Sequence, residues 1–509
     1  MFLSLKELFV VLVIATLVFR LAKPAANLFI TPADLARRRN VWYLLTIVGF
    51  LSPSFWLYVL VAVPAMAWAG RKDSNPGALY LLLLQVVPPI DIPVPMFGMG
   101  RLIDINNYLL LSFCVLAPAA MRMMRSKNPP GNKGLTRTDF CLLAYGILGS
   151  FLYLHTQTPE GGLYPGSITE SLRRAAIFFF DIFIPYYLIS RACTNHKALI
   201  DSMASACLGC ALLSAIALFE SGWHWLLYGE MYYRWTEIIG PNSYVDRGGI
   251  LRAMASSGHS MALGYMLVIA FGLWLYLRSR VTSGRIRFGA TGLFMGGLLA
   301  AYTRGAWVGA GLVYFLFAAL RPGAFSKLAK AVAAAAIVAL VVFLSPLGDR
   351  IIRVIPALGG SVDSYNILYR HRLFERAWEI IQQSPLLGDQ AALLQMQDLR
   401  QGQGIIDLVN TYLDILLNNG FIGLTLFLLF VLIPMFKAWS ISRKFRAINP
   451  DLGMLGASLV ACTVAMLVIL ENGSLLGGPQ KMFYALLAFS AAFAYLGRSQ
   501  KDVAGARRL

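Results

Sequence analysis

AMASSGHSMALGYMLVIAFGLWLYL, residues 253–277, runs for 25 positions without an Asp, Glu, Lys or Arg. As a helix it would reach about 37 Å, enough to cross a hydrocarbon core of roughly 30 Å. Similar runs lie on both sides of it, at 198–219, 288–302, 305–320, 328–345, 420–437, 452–470 and 481–496. The whole chain of 509 residues is 58% hydrophobic and only 14% charged, against about 25% charged in soluble domains. In lipid every backbone polar group needs an internal partner, which leaves helices or a closed barrel. The runs are continuous rather than alternating, so helices are expected. The sequence therefore predicts an all-α polytopic membrane protein, a single membrane domain over 1–509, with roughly 13–15 transmembrane helices. Upstream of residue 253, further crossings are expected at 77–90, 106–121, 138–155 and 172–190.

Basic residues alternate from loop to loop. One set holds Arg122, Arg125, Lys127, Lys133 and Arg137, then Arg191 and Lys197, then Arg278, Arg280, Arg285 and Arg287. It continues through Arg321, Lys327 and Lys330 to Lys437, Arg443, Lys444 and Arg446. The positive-inside rule makes these loops cytoplasmic. The net charge of +19 follows from this bias together with contact to anionic lipid, a better account than nucleic-acid binding. Cysteines placed at Asn132, Gly284 and Lys444 should accordingly react from the cytoplasmic side, and those at Gly161, Tyr244 and Gln401 from the other. Labelling of Gln401 from the cytoplasmic side would overturn this map. Residues 41–69 admit two arrangements: one long tilted helix, or a hairpin broken at Ser52-Pro53-Ser54 that keeps Arg37-Arg38-Arg39 and Arg71-Lys72 on one side.

Two longer hydrophilic segments fall on the outer side. One is a first periplasmic loop over 220–252; the other is a large, partly helical periplasmic loop over 346–416. In the second a helix is expected from about Asn366 to Gln383, stopped by Ser384-Pro385, with a shorter one around 390–400. Loops of that length are more often functional than idle. The six cysteines give no disulfide framework, and Cys207-x-x-Cys210 sits in a membrane helix, where packing is its role. The first apolar run ends without a small-residue cleavage site.

Outer-side cations are almost all arginine: Arg101, Arg173, Arg174, Arg234, Arg247, Arg252, Arg304, Arg350, Arg353, Arg370, Arg372, Arg376 and Arg400, with Lys481 as the one lysine. A guanidinium fork binds phosphate in a bidentate way and stays charged when desolvated. The pattern suits an anionic head group; interfacial anchoring and surface ion pairs are the alternative reading. Arg304 is the sharpest case. It lies in Tyr302-Thr303-Arg304-Gly305, where two apolar helices meet with almost no loop, and a charge so close to hydrocarbon points to ligand binding. Arg370 opens the loop helix on a face continued by apolar Phe374 and Ala377, so it is expected to point toward the protein or the membrane, where a charge needs a partner. Arg372 with Glu375, and Arg376 with Glu379, read as i, i+3 surface pairs. His371 reads as an ordinary polar helix residue.

Three stretches resemble the bacterial O-antigen ligase and Wzy-type polysaccharide polymerase superfamily. They are Ala301-Tyr302-Thr303-Arg304-Gly305-Ala306-Trp307, then Arg372-Leu373 through Trp378 to Ser384-Pro385-Leu386-Leu387-Gly388, then Asn410, Gly420 and Gly423 at the family's spacing. Arg252 through Gly258-His259 is similar to the segment that follows the first outer loop. The resemblance covers about 240–440. It implies a GT-C-like glycosyltransferase of the inner membrane that uses undecaprenyl-pyrophosphate-linked oligosaccharide on the periplasmic face, without metal or other cofactor. Arg252 and Arg304 would hold the pyrophosphate, with Arg247, Arg370, Arg372, Asn410 and His259 as further substrate-binding candidates. The family's proton-accepting histidine is replaced by Val409, so Asp407 and Asp414 are the candidate bases, with Glu375 or His371 next. The expected activity is polymerisation of repeat units into an exopolysaccharide or O-antigen-like chain; ligation to lipid A-core or protein is the alternative. A flippase and a chain-length regulator would be partners. A lipid-linked sugar transporter is the rival of another class, and the sequence lacks the inverted repeats with paired broken helices that it would need.

Overall fold

The computed structural model describes residues 2–96, 100–125, 134–155, 168–193, 195–236, 246–247, 250–321, 364–400, 406 and 408–506, with five residues between 326 and 337. Most of the expected crossing at 328–345, the start of the large loop over 346–363 including Arg350 and Arg353, the labelling positions Asn132, Gly161, Tyr244 and Gln401, and the candidate base Asp407 lie outside these residues.

The chain is an all-α multi-pass membrane protein, and among the described residues seven helices are long and apolar enough to cross a bilayer. These are α5 (Asn107–Arg125), α6 (Arg137–His155), α7 (Ile168–Ala192), α8 (His196–Trp223), α10 (Ser260–Arg280, its last turn 3₁₀), α14 (Thr411–Phe445) and α15 (Pro450–Asn472, likewise ending in a 3₁₀ turn). Around them stand α1 (Phe2–Ala26), α2 (Pro32–Leu51), α3 (Phe55–Lys72), α11 (Gly284–Ala300), α12 (Arg304–Ala319) and α16 (Gly477–Ala506). The helix formed from the 253–277 run is the centre of the bundle. α10 is ringed by α8, α11, α12, α15 and α16 and is buried along almost its whole length. A helix apolar all round has to be enclosed on every side.

At the N-terminus the hairpin arrangement holds. α2 ends at Leu51 and α3 begins at Phe55, and at the other end of the pair Arg38 is fully buried. Its guanidinium donates to Asp73 at 2.7 and 2.9 Å, to Asp201 at 2.6 and 3.1 Å, and to Ser205 at 2.9 Å. One side chain thereby ties the start of α2, the end of α3 and the first turns of α8. Other basic-loop residues act in the same way. Arg191 pairs with Asp139, and Arg280 bonds to Asp451 at 2.5 Å and to the ring of His196 at 2.7 Å. The loops read as a topological charge bias are also where the helices are stapled together.

Residues 77–90 depart from expectation. They form only α4 (Pro76–Leu83), an eight-residue helix of about 12 Å, which cannot cross. Pro88-Pro89 ends the helical run, since proline removes the amide donor and crowds the preceding turn. The chain then enters an antiparallel hairpin, β1 (Ile92–Met96) paired with β2 (Gly100–Ile105). A second, minimal hairpin pairs β3 (Asp246–Arg247) with β4 (Ile250–Leu251). A short helix, α9 (Gly229–Thr236), lies on the same side.

In the large loop, α13 (Ser364–Gln383) ends where Ser384-Pro385 predicts, and a 3₁₀ segment follows over Ala392–Leu399. Tyr369, Leu373, Ala377, Ile380 and Ile381 of α13 pack on Leu413 and Leu417 of α14 as a separate apolar cluster.

Candidate functional site

The end of the bundle opposite the Arg38 staple is built on two tight, strained connections. Between α11 and α12 only Ala301, Tyr302 and Thr303 intervene, and Tyr302 takes φ 46°. The side chain of Trp307 holds this corner, donating to the carbonyl of Leu298 at 2.7 Å and meeting the Tyr302 ring edge-on at 5.5 Å. The second connection, residues 252–259, has Ala255 at φ 47°. Each non-glycine residue in this region costs on the order of 1–2 kcal/mol, so the surroundings must impose it. Glu220, fully buried near the end of α8, does so. Its carboxylate accepts the amides of Leu227 at 3.0 Å, Met254 at 3.0 Å and Ala255 at 2.8 Å.

The two connections are joined to each other. The amide of Ala253 donates to the carbonyl of Ala300 at 3.0 Å, and Arg252 Nη2 donates to Thr303 Oγ1 at 3.3 Å. Arg252 is buried, whereas Arg304, the first residue of α12, is exposed. His259 caps α10, its Nδ1 accepting the Met261 amide at 3.1 Å. Burial, and then the charge of Arg252, push its pKa down to about 4, so the ring is neutral near pH 7 and serves as an acceptor.

From Arg304 the structure leads on to Arg370. A Cβ on Gly305 would stand 3.4 Å from Tyr265 Oη, and that hydroxyl is shared between the carbonyls of Ile469 at 3.1 Å and Asn472 at 3.3 Å. Asn472 Oδ1 in turn accepts from Arg370 Nη1 at 2.9 Å. Thr411 Oγ1 donates to Gly473 O at 2.6 Å and Ser474 Oγ to Leu408 O at 2.8 Å, fixing the start of α14 to the same turn. Arg252, Arg304 and Arg370 are thus gathered from three separate parts of the sequence around Thr303, Tyr265 and Asn472.

Other candidates are placed differently. Asn410 is the N-cap of α14, its Oδ1 accepting the amides of Tyr412 and Leu413 at 2.9 and 3.1 Å. Asp414 turns to Asn418, accepting from its Nδ2 at 2.8 Å, and lies beside Tyr145 of α6. Arg372 is exposed, and Glu375 pairs with His371 at 3.3 Å instead of with Arg372. The Arg376–Glu379 pair forms as expected at 2.8 Å. Arg370 lies beside the buried stripe of α13 rather than on it, since Phe374 is itself exposed. Arg247 lies in β3, and its side chain is outside the described part. Several other outer arginines have structural tasks: Arg173 donates to Leu102 O at 2.7 Å, Arg174 lies over the Tyr153 ring at 3.7 Å, and Arg234 donates to Ser52 O at 3.2 Å. Lys481 is buried against Asp181 at 2.6 Å.

Gly420 of the third stretch and Gly388 of the second act as a clamp. Gly420 breaks α14 with φ 61° and ψ −166°, a region only glycine occupies readily. There the amides of Phe421 and Ile422 donate to Pro385 O and Leu386 O at 2.9 and 3.1 Å, and Asp389 N to Leu417 O at 2.6 Å. A Cβ on Gly388, at φ 70°, would stand 2.5 Å from Leu417 O and 2.7 Å from Gly420 N. Gly388→Ala should therefore cost at least the left-handed penalty, on the order of 1–2 kcal/mol, and loosen α13 from α14. Faster proteolysis in 384–400 is the expected reading, and parental resistance would contradict the clamp.

These observations define a multi-pass α-helical membrane protein whose arginines converge at the end opposite its basic loops. Residues 289–428 match the family model described as O-Antigen ligase, and that span holds all three of the stretches singled out in the sequence. Over this span the chain is similar to the O-antigen ligase family, which supports a relation to the O-antigen ligase and Wzy-type superfamily and, in general terms, glycosyl transfer of the ligase or polymerase kind. No curated protein matches the chain.

Proposed function

We propose that the protein is a polysaccharide polymerase, transferring undecaprenyl-pyrophosphate-linked oligosaccharide repeat units at the periplasmic face of a bacterial inner membrane. The observation that carries this reading is the convergence of Arg252, Arg304 and Arg370 at one end of the bundle, within a chain of this superfamily. A pyrophosphate leaving group gathers negative charge as its bond to the sugar breaks, and preorganised guanidinium groups stabilise that charge without reorganising. The transfer is a single inverting displacement with arginine as the source of positive charge. A hydroxyl of one lipid-linked unit attacks the anomeric carbon of the growing chain, and the lipid pyrophosphate departs. A flippase supplying the substrate and a chain-length regulator are the partners this activity needs.

Ligation is the second reading, favoured by the description of the matching family model. Val409 in place of the family's histidine counts against a ligase-type mechanism. The glycan profile of a deletion strain separates the two. Loss of long chains with single-unit product retained is the expected result; polymer that persists but is unattached would show a ligase.

A further inference from the structure

The segment that fails to become a crossing, residues 84–91, lies along the Arg252–His259 connection. Ser256 Oγ donates to Gln85 O at 2.5 Å. A Cβ on Gly258 would stand 3.4 Å from Pro89 and 2.5 Å from Tyr232 Oη. Two residues past Pro89, Asp91 is exposed. Asn106 Nδ2 donates to its Oδ1 at 2.7 Å, which fixes the plane of the carboxylate and leaves Oδ2 free of partners among the described residues. Tyr108 of α5 and Tyr232 of α9 both lie within reach of its charge. A carboxylate is thereby held open at the edge of the connection that carries Arg252.

We propose that Asp91 is the proton acceptor of the transfer reaction, taking the proton of the attacking hydroxyl at the edge of the 252–259 connection. The proposal rests on the glycosyltransferase reading above. In the step, the acceptor O–H bond breaks and its proton passes to Asp91 Oδ2. The oxygen forms a bond to the anomeric carbon, and the bond from that carbon to the pyrophosphate oxygen breaks, its electron pair leaving with the lipid pyrophosphate. Asp91 then returns the proton to water.

The surroundings suit the role. Although the residue as a whole is exposed, neighbouring protein atoms strip part of the carboxyl's hydration and raise it above the ordinary carboxylate range; Asn106 lowers it, the charges of Asp104 and Asp181 raise it, and Lys481 lowers it. A base of raised pKa holds an abstracted proton more readily than an ordinary aspartate. Other candidate carboxylates are situated differently: Asp414 is engaged by Asn418, and Glu375 by His371 on the exposed face of α13.

The test uses the full-length protein in nanodiscs, measuring transfer from undecaprenyl-pyrophosphate-linked repeat units and binding of undecaprenyl pyrophosphate itself. Asp91→Asn should lower the transfer rate by about 10²–10⁴-fold while leaving undecaprenyl-pyrophosphate affinity and the unfolding midpoint unchanged. Asp91→Glu should recover part of the rate. Transfer by Asp91→Asn at the parental rate overturns the proposal and leaves the functional reading standing. Loss of binding in step with loss of transfer makes the residue structural and also overturns it. Absence of both binding and transfer in the unaltered protein refutes the functional reading, and the proposal with it.

Discussion

An Arg38→Ala protein is expected to lose on the order of 3–5 kcal/mol of stability, the loss typical when one member of a buried ion pair is removed. Arg38 has no exposed surface, and its partners Asp73 and Asp201 are almost as deeply enclosed. Truncation would leave two carboxylates facing each other with only Arg37, 3.8 Å from Asp73, as a counter-charge, and Asn75, whose backbone amide donates to Asp73 at 2.9 Å, would compensate little. Arg38→Lys should be nearly as harmful, because an ammonium cannot meet both carboxylates in the planar, forked geometry that the guanidinium provides. Replacing Asp73 and Asp201 by Asn together with Arg38→Ala should restore part of the loss by removing the stranded charge. Unfolding midpoints in detergent measure all three. An unchanged midpoint for Arg38→Ala would show that the N-terminal hairpin is held by apolar packing alone.

Arg304→Ala should lower the transfer rate roughly ten- to a hundred-fold, corresponding to about 1.5–3 kcal/mol for a charge-assisted contact made in the transition state. Arg304→Lys should fall almost as far, since a point charge lacks the bidentate fork. The position allows the comparison because Arg304 is exposed at the first turn of α12. Neither substitution disturbs the corner itself, which is held by the Trp307 bond to Leu298 O and the link between Ala253 and Ala300. Full polymer from Arg304→Ala at parental expression would leave the residue only a packing role.

The fold was legible in the sequence because crossing a bilayer demands long apolar helices, and composition alone exposes them. The length of α13 and its stop at Ser384-Pro385 were legible for a similar reason, since proline acts locally. Residues 77–90 were misread because apolarity does not distinguish a crossing from a short buried helix; Pro88-Pro89 was the overlooked signal. The convergence of Arg252, Arg304 and Arg370 was readable only in part. Arginine's chemistry marked the residues, but Tyr265 and Asn472, which join them, look like one more aromatic in a helix and one more loop amide. Glu220 was hidden for another reason. A lone carboxylate near a helix end reads as a solvated residue, and only three-dimensional structure reveals the three amides it gathers. Asp414 stood out by its nearness in sequence to Val409 and Asn410 as part of the family-like stretch, but the helix turns Asp414 to Asn418 and gives Asn410 the capping of α14. Asp91, more than three hundred residues from Val409 in the chain, carries no sequence signal for the role proposed for it.

The central claim is that this chain alone transfers glycan from a lipid pyrophosphate. Purified protein in nanodiscs, given undecaprenyl-pyrophosphate-linked repeat units and no other protein, tests it most directly. Mass spectrometry should show undecaprenyl pyrophosphate released in step with glycans lengthened by whole repeat units, and both should diminish in Arg304→Ala. Substrate recovered intact after incubation with folded protein would contradict the account.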